Sequence, residues 1–388
     1  MRVEVRDITK KGRLRSKSRS APLWCPATAP PNPSISLRRN PLRRLKSLNA
    51  SKNVHHLYST KEKSMSITKR SFLAGATTLT AFTVLTGRLR AEPVKTIRMD
   101  FATYNPVSLI LKNNGFMEKE LAGDGINVEW VQSAGSNVAL DLLKNDKTDF
   151  GSTAGAAALI GRANGNPLKS IYVFSRPEWT ALVVGAASPL TGLADLKGKK
   201  VAATPGTDPH IFLLRALESV GLTDKYIVLK PLPHAEGRAA LEKGEVDAWA
   251  GLDPIMAQSE LVAKSRLLFR DPVLNTYGIL NVREAFAAAQ PELVKRVLKI
   301  YDQARLYAVE HPGELRAALV AAAKIDEAVA SRQLERTDLR NSVIGTAQQR
   351  TITAAGDVLK KSGIIPQTVD IEKVVTGMID RSFAPTKA

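Results

Sequence analysis

The sequence predicts an α/β protein built as two lobes, each a mostly parallel sheet flanked by helices, with a ligand cleft between them. Three observations predict it. Apolar strand patterns alternate with helical patterns from Ile97 onward, the arrangement that parallel sheets with covering helices require. The alternation comes in two sets, joined by extended stretches near Trp179–Ala186 and Asn275–Asn281 that can carry the chain across and back. After the second stretch the pattern turns almost wholly helical, so the chain closes with a helical return.

Each element has its own warrant. Ile97, Met99 and Phe101 alternate in a strand that stops at Tyr104-Asn105-Pro106, and Val107 begins a helix to Asn113. Strands over Ile126–Val131 and Thr148–Gly151 lead into helices over Val138–Lys144 and Ala156–Ala163. Ser170–Phe174 and Leu182–Gly185 read as further strands. In the second set, strand Lys200–Ala203 precedes an amphipathic helix from His210 to Val220 that ends at Gly221. A helix over Glu236–Lys243 ends at Gly244, followed by a buried strand over Val246–Ala250 and a helix over Pro254–Ala263. Leu267–Phe269 and Thr276–Val282 complete the strands. The helical return covers Pro291–Val309, Glu314–Ala323, Gln348–Lys361 and Ile371–Ile379.

Net charge argues against a nucleic-acid partner once its distribution is seen. The chain of 388 residues carries +19, but residues 1–91 hold 20 Lys and Arg against 3 Asp and Glu. The remainder is nearly neutral and has no basic patch that calls for a phosphate backbone. Residues 1–64 are Arg-, Ser- and Pro-rich without apolar periodicity, which predicts disorder or a start codon set too far upstream. Residues 65–91 read as an export signal: Lys69-Arg70, then a modestly apolar stretch from Ser71 to Leu85, shorter than the ~20 residues a membrane span needs. Thr68-Lys69-Arg70-Ser71-Phe72-Leu73 approaches the twin-arginine export pattern with Lys for the first Arg; the ordinary secretory route stays open. The only cysteine, Cys25, lies in the leader, so the exported part has neither disulfide nor thiol nucleophile, nor a cysteine for a lipid anchor. A soluble periplasmic protein, a monomer without a cofactor, is the expectation.

The strand ends suggest what the cleft holds. Gln132-Ser133-Ala134-Gly135-Ser136-Asn137 and Asp149-Phe150-Gly151-Ser152-Thr153-Ala154-Gly155 each run from a strand through Ser, Thr and Gly into a helix. Ala203-Thr204-Pro205-Gly206-Thr207-Asp208 repeats the pattern in the second lobe. Such turns aim backbone N–H groups and hydroxyls at one spot, the chemistry of a small-anion site. Ser133, Gly135, Ser136, Ser152, Thr153, Gly155, Gly206 and Thr207 are therefore candidate ligand contacts, although each Ser or Thr also suits an ordinary helix cap. Asn105 joins them or forms a turn with Pro106. His210 either donates to an oxyanion, or caps its helix or packs between the lobes. Asp253 fits a helix cap before Pro254 better than an amine contact, and Trp249 fits the core of its strand better than the cleft wall. Trp179 and Tyr277 line the cleft or pack the hinge. His210, His234 and His311 share no metal-ligand spacing. Gly192 to Lys200 imitates a phosphate loop, but its glycine spacing is one residue too long and Lys200 stands where Ser or Thr is required.

Several longer motifs carry a family resemblance. They are Gly192-Leu193-Ala194-Asp195-Leu196-Lys197-Gly198-Lys199-Lys200-Val201-Ala202, Gly206-Thr207-Asp208-Pro209-His210 and Gly244-Glu245-Val246-Asp247-Ala248-Trp249-Ala250, with Asp253-Pro254 following. Gln290-Pro291-Glu292-Leu293-Val294 and Leu334-Glu335-Arg336 also fit. From residue 92 to about Phe383 the chain resembles the substrate-binding proteins of nitrate, sulfonate and taurine ABC importers, most of all those for aliphatic sulfonates. The resemblance implies the two-lobed type II periplasmic binding protein fold, with a first lobe over 92–180 and 279–388 and a second over 181–278. It implies a small anionic ligand, an alkanesulfonate, and two partners, a membrane permease and its ATPase. Leu252-Asp253-Pro254-Ile255 stands where members often carry Trp-Asp-Pro-Tyr, a departure that points to a different ligand tail. Nitrate, taurine or a thiamine-precursor pyrimidine are alternative ligands. A desulfinase-like enzyme on the same scaffold would need the cysteine that the exported part lacks.

Overall fold

The computed structural model describes residues 93–384. The expected basic extension, the export signal and Cys25 lie outside them. In chain order the strands are β1 (Thr96–Phe101), β2 (Asn127–Gln132), β3 (Phe150–Ala154), β4 (Leu168–Pro177), β5 (Leu182–Val184), β6 (Lys200–Ala203), β7 (Val228–Pro231), β8 (Ala248–Ala250), β9 (Arg266–Phe269), β10 (Gly278–Arg283) and β11 (Thr337–Asp338). The helices are α1 (Pro106–Asn113), α2 (Phe116–Leu121), α3 (Ser136–Lys144), α4 (Gly155–Ala163), α5 (Asp208–Ser219), α6 (His234–Glu242), α7 (Ile255–Leu261), α8 (Glu284–Ala289), α9 (Pro291–Glu310), α10 (Pro312–Ala323), α11 (Glu327–Glu335), α12 (Thr346–Lys361) and α13 (Ile371–Met378).

Two sheets divide these strands. The larger half holds six in the order β11-β4-β10-β3-β1-β2, the smaller half five in the order β7-β6-β8-β5-β9. The parallel pairs are those built by successive strand–helix units, β1 with β2 and β3, and β6 with β7 and β8. The other pairs are antiparallel, so both sheets are mixed. The cause is the crossing: β10 returns from the smaller half and enters the first sheet between β3 and β4, against both. The chain crosses at residues 178–181 and returns at 270–277.

That return strand also changes a boundary that matters. Ser152, Thr153 and Ala154 read from sequence as the turn after a strand, but each pairs with β10 and is strand. The sequence gives no sign of α2, α8 or α11, which are short and weakly patterned. Apolar packing holds the two halves together. Helix α5 buries Phe212, Leu213, Ala216 and Leu217 in the smaller half's core and presents Ile211 and Leu214, with Leu252, to the core of the larger half. Helix α5 is thus buried on both sides, which keeps the cleft shut.

Candidate functional site

Three helices begin where the sequence places anion donors, and the structure treats them differently. Helix α4 is closed off. The Gly155 N–H donates to the Thr276 and Tyr277 carbonyls, and the Ala156 N–H to Thr276 Oγ1 at 3.0 Å. A Cβ on Gly155 would stand 2.5 Å from the Thr276 carbonyl oxygen, so only glycine lets the return crossing approach this closely. Helices α3 and α5 are open. The N–H groups of Ser136, Asn137 and Val138, and those of Asp208 and His210, have no acceptor among the described residues. One end belongs to the larger half and the other to the smaller.

Between these two ends lies a cavity of about 10 Å³, walled by Tyr104, Ser136, Trp179, Thr207, Asp208, Pro209 and Leu252. That is the room of about one water. Ser136 Oγ accepts from the Ala154 N–H at 2.9 Å, and its own proton has no described acceptor. Thr207 donates its hydroxyl proton to the Thr204 carbonyl at 2.6 Å. Gly206, at φ 73°, brings the turn before α5 against Asn137. The Asp208 carboxylate accepts from Thr276 Oγ1 at 2.5 Å, the Thr276 N–H and Trp179 Nε1 at 2.9 Å. It thereby ties α5 to both crossings. Burial raises its pKa, partly offset by those donors.

The other serines serve a different anion. Asp100 on β1 is buried, and Ser133 Oγ, Ser152 Oγ and the Ser152 N–H all donate to its carboxylate at 2.8–2.9 Å. The Tyr104 hydroxyl lies 2.9 Å from both Ser133 Oγ and the Ser152 carbonyl. Asn105 donates to Ser152 Oγ and to the Tyr301 hydroxyl. Burial pushes the Asp100 carboxyl up to about 6, although all three hydrogen bonds favour the ionised form. Thr153 points the other way through the sheet and accepts from Asn281 at 2.8 Å.

The remaining candidates lie around this centre. Trp249 is wholly buried in the smaller half's core, beside Gly237. Asp253 Oδ1 accepts from the Ala257 N–H and caps α7, while Oδ2 lies 3.6 Å from Arg336 of the larger half. Burial raises the Asp253 pKa to about 7 in spite of that guanidinium. His210 is buried with Nδ1 unpartnered, and burial lowers its pKa. Sequence reasoning missed His234, weighed only as a metal ligand. Its Nδ1 lies 3.1 Å from Thr204 Oγ1, whose proton goes to the Leu232 carbonyl, so Nδ1 is the protonated nitrogen. Nε2 is left as an unpartnered acceptor beside Gly135 of the larger half, and burial lowers the ring's pKa to about 4. Asp100 and Tyr104 were missed as well; both sit inside strand and turn patterns with nothing local to mark them.

A larger concavity, about 650 Å³, lies elsewhere, between Ala308–Pro312, Leu334–Arg340 and the crossings at Glu178 and Pro272. Its buried cation, Arg336, is paired with Glu260 and lies 3.6 Å from Asp253.

The family model described as NMT1/THI5 like matches residues 112–315, more than half of the chain. The chain belongs to the NMT1/THI5-like family. Among relatives of this family member, an aliphatic sulfonates-binding protein of Escherichia coli (strain K12) is 27% identical over 310 residues, covering 78% of this chain and 93% of its own. One of the same name from Bacillus subtilis (strain 168) is 26% identical over 287 residues, 73% of this chain and 86% of its own. Among solved structures, the alkanesulfonate-binding protein SsuA of Xanthomonas axonopodis pv. citri, bound to MOPS, superposes with a TM-score of 0.68. At 24% identity, over 74% of this chain and 98% of that one, it shares the fold: a periplasmic binding protein fold. Among the described residues no helix is long and apolar enough to cross a membrane.

Proposed function

We propose that this chain is the periplasmic solute-binding component of an ABC importer, capturing an aliphatic sulfonate between α3 and α5 and delivering it to a membrane permease driven by an ATPase. The observation that carries the reading is the pair of opposed helix N-termini, one on each half, with unpaired N–H groups. A sulfonate is ionised at every physiological pH and its oxygens only accept hydrogen bonds, so it suits amide donors and a free Ser136 proton. The sulfonate names of the two relatives support the same ligand class. A headgroup does not fit a 10 Å³ gap, so capture requires the halves to part at the two crossings and to close again around it. The absence of cysteine from residues 92–388 supports binding rather than thiol chemistry.

Thermal denaturation tests this with methanesulfonate, longer alkanesulfonates, taurine, nitrate, sulfate and phosphate. A true ligand at 100 times its dissociation constant stabilises by about 2.7 kcal/mol, a rise of several degrees. The sulfonates should raise the midpoint. A rise with nitrate or sulfate and none with any sulfonate would replace the ligand class.

A further inference from the structure

Helix α11 belongs to the larger half but packs against α7 of the smaller half. It is tied to both walls of the α3–α5 gap without lining it. On one side, Gln333 Nε2 donates to the Thr103 carbonyl at 2.8 Å, and the next residue, Tyr104, walls the gap. On the other, Arg336 Nη2 donates to Glu260 Oε2 on α7, and Arg336 Nη1 lies 3.6 Å from Asp253 Oδ2. Asp253 follows Leu252 in the chain and donates its N–H to the Trp179 carbonyl at 2.9 Å; Leu252 and Trp179 both wall the gap.

The two partners of the Arg336–Glu260 pair are rooted in different halves. The Arg336 carbonyl accepts from the Glu178 N–H at 2.8 Å, and the chain continues into β11, which pairs with β4, so its backbone is fixed to the larger sheet. Glu260 is carried by α7. A rotation of the halves about residues 178–181 and 270–277 therefore moves Glu260 relative to Arg336. The side chains are 6% and 16% exposed, so water and salt screen the pair weakly, and pulling it apart leaves a poorly solvated guanidinium behind. On the reading above that capture needs the halves to part and close, we infer that Arg336 is a positioning residue for the bound anion. Through Glu260 it holds α7, and with it the Leu252 wall, in the closed position. It thus sets how long the ligand is retained without touching it.

Glu260→Gln, Arg336→Gln and the double variant test this, with methanesulfonate titrated by calorimetry and its rates followed by stopped-flow tryptophan fluorescence. Each single variant should bind about tenfold more weakly, the scale of one hydrogen bond between charged groups. The loss should appear as faster dissociation, with association no slower. The double variant should also lose about tenfold, because both substitutions remove the same pair. Small-angle X-ray scattering without ligand should give a larger radius of gyration for the variants than for the unaltered protein. A pair that only stabilises the fold would lower the melting midpoint and leave methanesulfonate affinity unchanged, which overturns the inference. So would a hundredfold loss in the double variant, since the two residues would then act separately. If the unaltered protein binds no sulfonate, the ligand class falls and the radius decides alone: larger in the variants, the latch stands; unchanged, it falls as well.

Discussion

Two groups of donors in this protein look alike in sequence and differ in what they face. Ser133 and Ser152, at the ends of β2 and β3, enclose a carboxylate that the chain itself supplies, Asp100. The N-termini of α3 and α5 enclose only a small cavity. Hydroxyls and amides clustered at strand ends therefore mark a place suited to an anion, without revealing whether that anion is internal or a ligand. Distance in the chain hides the answer. Asp100 lies 33 and 52 residues from the serines it organises.

The largest expected effect comes from stripping the internal anion of its donors. Ser133→Ala with Ser152→Ala leaves Asp100 with the Ser152 N–H as its remaining donor of the three. Two hydrogen bonds to a buried charge are lost, so stability at pH 7 should fall by about 4 kcal/mol in urea denaturation. Sulfonate affinity should change less than about twofold, an amount that converts to under half a kcal/mol. About 1 kcal/mol of the lost stability should return at pH 5, because the native carboxyl, raised to about 6, is then protonated with or without the two hydroxyls. A large loss of affinity with unchanged stability would mean that the ligand sits on these serines after all.

The same contrast explains what was legible beforehand. The alternation of strands and helices was readable because it depends on local apolar periodicity, and Lys200–Ala203 reads as a strand with the bounds that the structure has. The positions of α3 and α5 followed from the Ser-Ala-Gly-Ser and Gly-Thr-Asp turns. What could not be read was contact between distant segments. Gly155 and Ala156 are capped by Thr276 and Tyr277, about 120 residues away, and these contacts leave the start of α4 fewer open N–H groups than those of α3 and α5. The span of β3 past Gly151 likewise depends on β10, which arrives only after the second crossing. His234 gave no signal because its role depends on Gly135, a residue of the other half.

The open group of donors gives the next effect in size. Ser136→Leu places a branched apolar side chain in a gap of about 10 Å³ and removes the hydroxyl proton that has no described acceptor. Sulfonate affinity should fall about 100-fold, roughly 2.7 kcal/mol by titration calorimetry. The Ala154 N–H also loses its acceptor, so some loss of stability, about 1–2 kcal/mol, should accompany it. The comparison with the Asp100 pair is in the ratio: at Ser136 the affinity loss should exceed the stability loss, and at Ser133 and Ser152 the order should reverse. The same order at both places would erase the distinction between an internal and an external anion.

The smallest effect, measured per pH unit, sharpens the comparison from the side of charge. Burial raises the Asp100 carboxyl to about 6 and that of Asp253 to about 7, above the ~3.9 of an unfolded aspartate. Between the unfolded and folded values the native state holds protons that the unfolded chain has released, so rising pH destabilises the fold. The penalty is absent below about pH 4, grows through pH 6 for Asp100 and through pH 7 for Asp253, and is complete above those values. Each group contributes a slope of at most about 1.4 kcal/mol per pH unit within its window. Asp253→Asn should flatten the segment between pH 6 and 7 and leave Asp100's share of the fall below pH 6. Urea denaturation at half-unit steps from pH 4 to 8 measures both segments. A sulfonate has no proton to exchange in this range, so its binding should add a constant stabilisation across the curve wherever its donors stay neutral. Burial lowers the nearby His234 to about 4, so its ring stays neutral above about pH 5, and burial lowers the His210 pKa as well. A ligand contribution that instead tracked the Asp100 segment would place the bound anion against the internal one, where repulsion between the two would have to be relieved by a proton.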